Sequence, residues 1–198
     1  GKFSVATHAD AVRRVCESQG ITRAHVVGHS FGTIIAQHIA AETPALVRSL
    51  TLFGALPEPP QTLRDVMTAR APVAREQGLF AIAENTSEFS LSASSKQTQP
   101  VTVAYVREAI GASDAEGYAR NCEALAAAKS ARLELIRCPT LIVNGDEDQV
   151  TVLSGARQLA ERLVNARIEV FSRCGHWPMF ERSAESQRAL KDFLQSVR

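Results

Sequence analysis

The chain of 198 residues is 45% hydrophobic and carries a net charge of +1, enough apolar content for one sizeable core. With no basic cluster, nothing points to nucleic acid or to an anionic membrane as partner, and no apolar run approaches the ~20 residues of a membrane span. Cys16, Cys122, Cys138 and Cys174 are scattered without metal-ligand spacing, so buried thiols in a reducing cytoplasmic setting are expected, with no metal and no cofactor. The oligomeric state stays open.

In chain order, Val5, Ala9, Val12 and Cys16 recur at helical spacing, with Thr7 and Asp10 as a capping box and Gly20 as the stop. Ala24-His25-Val26-Val27 then reads as a short buried strand, followed by Gly28-His29-Ser30-Phe31-Gly32 and an apolar helical stripe of Phe31, Ile34, Ile35, His38 and Ile39. Strand, sharp turn and helix form the context of a nucleophile elbow, G-x-S-x-G, which lifts the serine oxygen clear of the sheet and aims a helix N-terminus at its target. Gly28 and Gly32 are expected to keep strand and helix backbones free of a Cβ clash. A further strand covers residues 47–53, after a helix that Pro44 closes.

Pro57, Pro59 and Pro60 mark a change of pattern. Short helices are expected at residues 63–70, 78–84, 103–110 and 115–129, with the polar run 90–99 as a loop. This suggests a helical cap at residues 57–132 inserted into a core made of residues 1–56 and 133–198. Cys138-Pro139-Thr140-Leu141-Ile142-Val143 is a proline-opened strand leading to Gly145-Asp146-Glu147-Asp148, and residues 168–171 form a strand leading to Gly175-His176. Helices at 154–163 and 183–197 complete the pattern. Serine, acid and histidine follow in the order that hydrolases with this elbow use, each just past a strand end, where open parallel sheets place their sites.

On these motifs the chain resembles the α/β-hydrolase superfamily, with weak similarity to 3-oxoadipate enol-lactonases in residues 117–125 and 138–141. The resemblance implies an α/β fold with a parallel sheet and makes Ser30 the nucleophile, Asp148 the acid and His176 the base. Asp146 competes as acid, though Asp146 and Glu147 are expected to be solvated loop residues. His25, His29 and His38 are expected to be structural or surface residues. The superfamily carries earlier strands to which nothing here corresponds. Their loop would supply a second oxyanion donor, leaving the Phe31 N–H alone for that task, and loss of one such donor costs roughly 10²–10³ in rate. The chain is therefore expected to be part of a longer protein, poorly soluble and nearly inactive when expressed without the upstream sequence.

A serine nucleophile implies acyl transfer through an acyl-enzyme. A small carboxylic ester or lactone is the expected substrate, with a preference for one bearing a carboxylate. Arg120 is the candidate to meet that carboxylate, against its reading as a solvated helix arginine. Acyl transfer to another acceptor, C–C bond hydrolysis and a truncated, non-catalytic binding module are the alternatives.

Overall fold

The computed structural model describes residues 3–197. Four strands, β1 (Ala24–His29), β2 (Val47–Phe53), β3 (Thr140–Gly145) and β4 (Ala166–Phe171), form one parallel sheet in the order β1-β2-β3-β4. The central strands read as near-continuous apolar runs because helices cover both faces. Leu50, Leu52 and Ile142 point to one face, against α1 (Val5–Ser18), α2 (Phe31–Glu42) and α8 (Leu153–Arg162). Phe53, Leu141 and Val143 alternate to the other face and pack on Ala189 and Phe193 of α10 (Ser183–Ser196). β1 lies at one edge, where Val27 is exposed while Val26 packs on the core.

Register decides where the site forms. His29 pairs with Phe53, and Gly145 with Phe171. The loops that follow all four strands therefore emerge at one end of the sheet. Between β2 and β3 stand α3 (Gln61–Gln77), α4 (Phe80–Ser90), α5 (Ala93–Thr98), α6 (Pro100–Gly111) and α7 (Ala115–Ala126). They enclose an apolar cluster of their own, with Met67, Ala71, Ile82, Val106, Ala119 and Cys122 at its centre. Among the described residues no helix is long and apolar enough to cross a membrane.

Three local expectations are corrected. The helix expected to end at residue 70 runs on to Gln77 through Pro72. Proline removes one N–H and crowds the preceding turn, but burial of Ala71 and Ala74 on either side of it outweighs that cost. The polar run 90–99 holds α5, whose first turn is satisfied by the Ser92 hydroxyl accepting the Ser95 N–H at 3.1 Å and by Glu147 accepting the Ala93 N–H at 2.9 Å. Neither partner leaves an apolar periodicity to read. The cap of α1 is Ser4, reciprocated by Thr7, while Asp10 pairs with Arg13 and Arg14. Of the expected apolar face of α1, Val5 and Ala9 are buried and Val12 is exposed.

Candidate active site

The elbow is built from β1 outward. Ser30 has φ 52° and ψ −121°, a conformation that L-residues adopt only when surroundings enforce it. The Ser30 N–H donates to the Phe53 carbonyl at 3.0 Å, and its own carbonyl accepts from the Thr33 N–H at 2.9 Å and the Thr33 hydroxyl at 2.6 Å. A Cβ at Gly28 would lie 2.5 Å from the Gly32 carbonyl oxygen, so strand and helix approach too closely for any larger residue there. A Cβ at Gly32 meets nothing within 4 Å, and the steric reason expected of both glycines holds for Gly28 alone. The Ser30 hydroxyl does not cap α2. Phe31 opens α2, so its N–H belongs to the first turn, which has no intrahelical acceptor.

The acid and histidine loops meet above β3 and β4. Asp148 is buried, and its carboxylate accepts from the Val150 and Thr151 N–H groups, each at 2.8 Å, from the Thr151 hydroxyl at 2.7 Å and from His176 Nδ1 at 2.9 Å. Burial works against this charge, yet the neighbouring His176 and the bonds from His176 and Thr151 together hold the Asp148 carboxyl below the ordinary carboxylate range. A carboxylate can only accept, so the His176 proton sits on Nδ1 and the Nε2 lone pair is left for a substrate-side proton. Ser30 and His176 line one cavity of about 840 Å³, and no hydrogen bond joins them among the described residues.

Asp146 is exposed, as expected of a solvated loop acid, while Glu147 is half-buried. Asp146 accepts the Cys174 N–H at 3.2 Å and Glu147 the Ala93 N–H, so both tie β-strand loops to their neighbours, and neither bonds to His176. Cys122, Cys138 and Cys174 are free thiols whose ionisation burial pushes upward, Cys122 to about 11. Cys16 is free and partly exposed on α1.

Residues that the sequence did not single out complete the geometry. Gly54, at φ 60°, follows β2, and a Cβ there would lie 3.0 Å from His176 Cε1 and Nδ1, so only glycine lets the ring reach Asp148. A glycine directly after a strand was its only signal. Thr151 stands three residues past Asp148, the spacing of a local side-chain-to-backbone turn. His29 donates from Nε2 to the His176 carbonyl at 2.8 Å and its ring lies 4.8 Å from that of His176 and 4.7 Å from that of Trp177.

Burial, and secondarily His176, push the His29 pKa from 6.5 down to about 3. Its neutral form is thus favoured by folding. That contribution is complete above pH 6.5 and is lost as pH falls toward 3. At about 1.4 kcal/mol per unit, some 2 kcal/mol should be gone by pH 5. Urea unfolding at pH 7 and pH 5 checks this. The drop in stability should be smaller by about that amount in His29→Gln than in the wild type.

Most of the cavity wall is apolar, with Ile34, Leu56, Leu63, Met67 and Leu125 among its residues. Arg70 of α3 is the charged side chain facing it. The guanidinium reaches the Tyr118 hydroxyl at 3.4 Å and has no carboxylate partner among the described residues. Arg120, the sequence candidate, instead pairs with Glu116 at 2.7 Å and lies over the Phe3 ring at 5.7 Å, outside the cavity. Asn121 also lines the cavity, and His8 Nε2 holds its Oδ1 at 3.0 Å.

A parallel sheet with a strained serine turn after one strand and an Asp–His pair after two others is the arrangement of the α/β hydrolases. A family model of the alpha/beta hydrolase fold matches residues 1–183, and the chain belongs to that family. It is 26% identical, over 98% of its length, to the 2-hydroxymuconate semialdehyde hydrolase of Pseudomonas putida. To the protein of that name from Pseudomonas sp. (strain CF600) it is 28% identical over 91%. The chain spans 70% and 65% of the lengths of those two relatives. It is also similar to the crystal structure of the enol-lactonase from Burkholderia xenovorans LB400, with a TM-score of 0.89 and 25% identity over 99% of this chain and 75% of that one.

Proposed function

We propose that this chain carries a serine hydrolase site that cleaves a small carboxylic ester or lactone through an acyl-enzyme. The observation that carries the reading is the positive φ of Ser30 in the same cavity as a histidine whose Nδ1–H is held by a buried carboxylate. Ser30 Oγ attacks the substrate carbonyl carbon while His176 Nε2 takes its proton. Asp148 keeps the ring in that tautomer and offsets the charge of the imidazolium. Negative charge develops on the carbonyl oxygen, toward the N-terminal turn of α2 and the Phe31 N–H. Collapse breaks the C–O bond, and His176 returns its proton to the departing alkoxide. Water then attacks the acyl-enzyme with His176 again as base, which releases the acid and restores Ser30.

Arg70 supports a substrate that bears a carboxylate, because a guanidinium with no carboxylate partner on an apolar wall gains most from an anion. An ester tested with and without a terminal carboxylate checks this in the full-length protein. Arg70→Met should lower kcat/KM for the anionic ester about 10–100-fold, the worth of one charge-assisted bond, and change the neutral ester less than about threefold. Equal losses on both esters would remove Arg70 from the reading. Since the two Pseudomonas relatives are named for hydrolysis of 2-hydroxymuconate semialdehyde, that compound belongs in the same panel. Faster turnover of it than of any ester would assign the site to C–C bond cleavage.

A further inference from the structure

The loop that carries His176 is held by a buried anion that the chemistry above does not use. Glu181, at the end of the short helix α9 (Pro178–Glu181), is 3% exposed. Its Oε1 accepts the Gly175 N–H at 3.0 Å and the Trp177 N–H at 3.1 Å, the two amides flanking His176. Its Oε2 accepts the Gly175 N–H at 3.1 Å and, from 89 residues away, the Ser92 N–H at 2.9 Å. No cation pairs with this carboxylate among the described residues, since the adjacent Arg182 guanidinium is turned to the carbonyls of Ser172, Arg173 and Glu181. An anion is costly to bury unless donors surround it, and here backbone amides are those donors.

The same junction is stitched again by the His176 N–H donating to the Ser90 carbonyl at 2.7 Å and by Trp177 Nε1 donating to the Ser90 hydroxyl at 2.8 Å. Ser90 and Ser92 bound the turn between α4 and α5, and α4 contributes Asn85, Thr86 and Phe89 to the cavity wall. We propose that Glu181 is a positioning residue that clamps the histidine loop to the α4–α5 turn, so that the base and one wall of the substrate cavity are held as a unit. The proposal rests on His176 being the base. It assigns Glu181 no contact with substrate.

The backbone itself supplies a clean test. Ser92 has φ −65° and Leu91 has φ −96°, ψ 149°, values that proline and its preceding residue adopt without strain. Ser92→Pro therefore replaces the N–H that Glu181 accepts with a ring methylene that presses Glu181 Oε2 away, and also deletes the hydroxyl cap of α5. Ser92→Ala deletes the cap and keeps the N–H. Both are measured in the full-length protein below their thermal midpoints, with circular dichroism confirming the fold.

Ser92→Pro should lose about tenfold or more in kcat relative to Ser92→Ala, with the larger effect on kcat than on KM, since small displacements of a catalytic group cost up to about 10²-fold. Glu181→Gln, which sets an amide NH2 against the N–H donors, should show the same split. Fluorophosphonate labelling of Ser30 should slow in parallel in both variants. Equal kcat in the two Ser92 variants would overturn the clamp, as would a Glu181→Gln loss that tracks only the unfolded fraction. If Glu181→Gln does not fold, the Ser92 pair decides alone. Turnover that survives in Ser30→Ala is a different result and overturns the catalytic reading itself.

Discussion

Replacing Ser30 with alanine should lower kcat for the best ester by about 10⁵–10⁶, to the level left by substrate binding and the helix N-terminus alone. The fold should survive, because Ser30 makes its structural bonds through the backbone to Phe53 and Thr33. The strain of φ 52°, about 1–3 kcal/mol, is borne by serine and alanine alike, since the Ser30 hydroxyl does not cap α2. A parallel measurement of thermal midpoint and turnover separates loss of chemistry from loss of fold. Loss of turnover with a midpoint shift of only a few degrees is the expected pairing, and retained turnover in a folded variant would remove the serine from the chemistry.

Asp148→Asn should cost about 10⁴ in kcat. The amide oxygen can keep the Val150 and Thr151 N–H groups that Oδ1 accepts, which turns the NH2 donor toward the partners of Oδ2, the Thr151 hydroxyl and His176 Nδ1. The imidazole is then driven toward the tautomer with Nε2 protonated, which cannot accept the serine proton. Asp146→Asn should remain within about threefold of wild type, because that carboxylate accepts one backbone N–H and touches no reacting group. Measured together, the pair separates the two acids of the post-β3 loop. A large loss at Asp146 with little at Asp148 would exchange their roles.

Features set by neighbours in sequence were legible, and features set by distant segments were not. The elbow could be read because strand, turn and helix are contiguous and each carries its own periodicity. β2 falls on residues 47–53 as expected, since a buried parallel strand is a continuous apolar run bounded by turns. The helices of the insertion were found wherever an apolar stripe existed. α5 was missed because its six residues hold no such stripe and its N-terminal amides are satisfied by Glu147 and Ser92. Passage of α3 through Pro72 was likewise invisible, because packing of Ala71 and Ala74 against the neighbouring helices decides it.

Within the site, the residues brought together at Asp148 and His176 had strand-end positions as a signal. Glu181 had none, since its partners at Ser92 and Gly175 become visible only when the insertion folds onto the histidine loop. Arg120 and Arg70 illustrate the same limit. Both lie on helices of the insertion, and only the packing of α3 against α7 turns one toward the cavity while the other meets Glu116. Side-chain direction around a helix depends on which face its neighbours cover, a tertiary fact.

The most direct test of the account is the site and rate of covalent labelling by a fluorophosphonate, followed by intact mass and peptide mapping of the full-length protein. An activated serine reacts and an inert one does not. One adduct per chain, mapped to Ser30 and strongly slowed in His176→Ala, is the expected result. A folded protein that takes no adduct, or one labelled at another serine with Ser30 untouched, would contradict it.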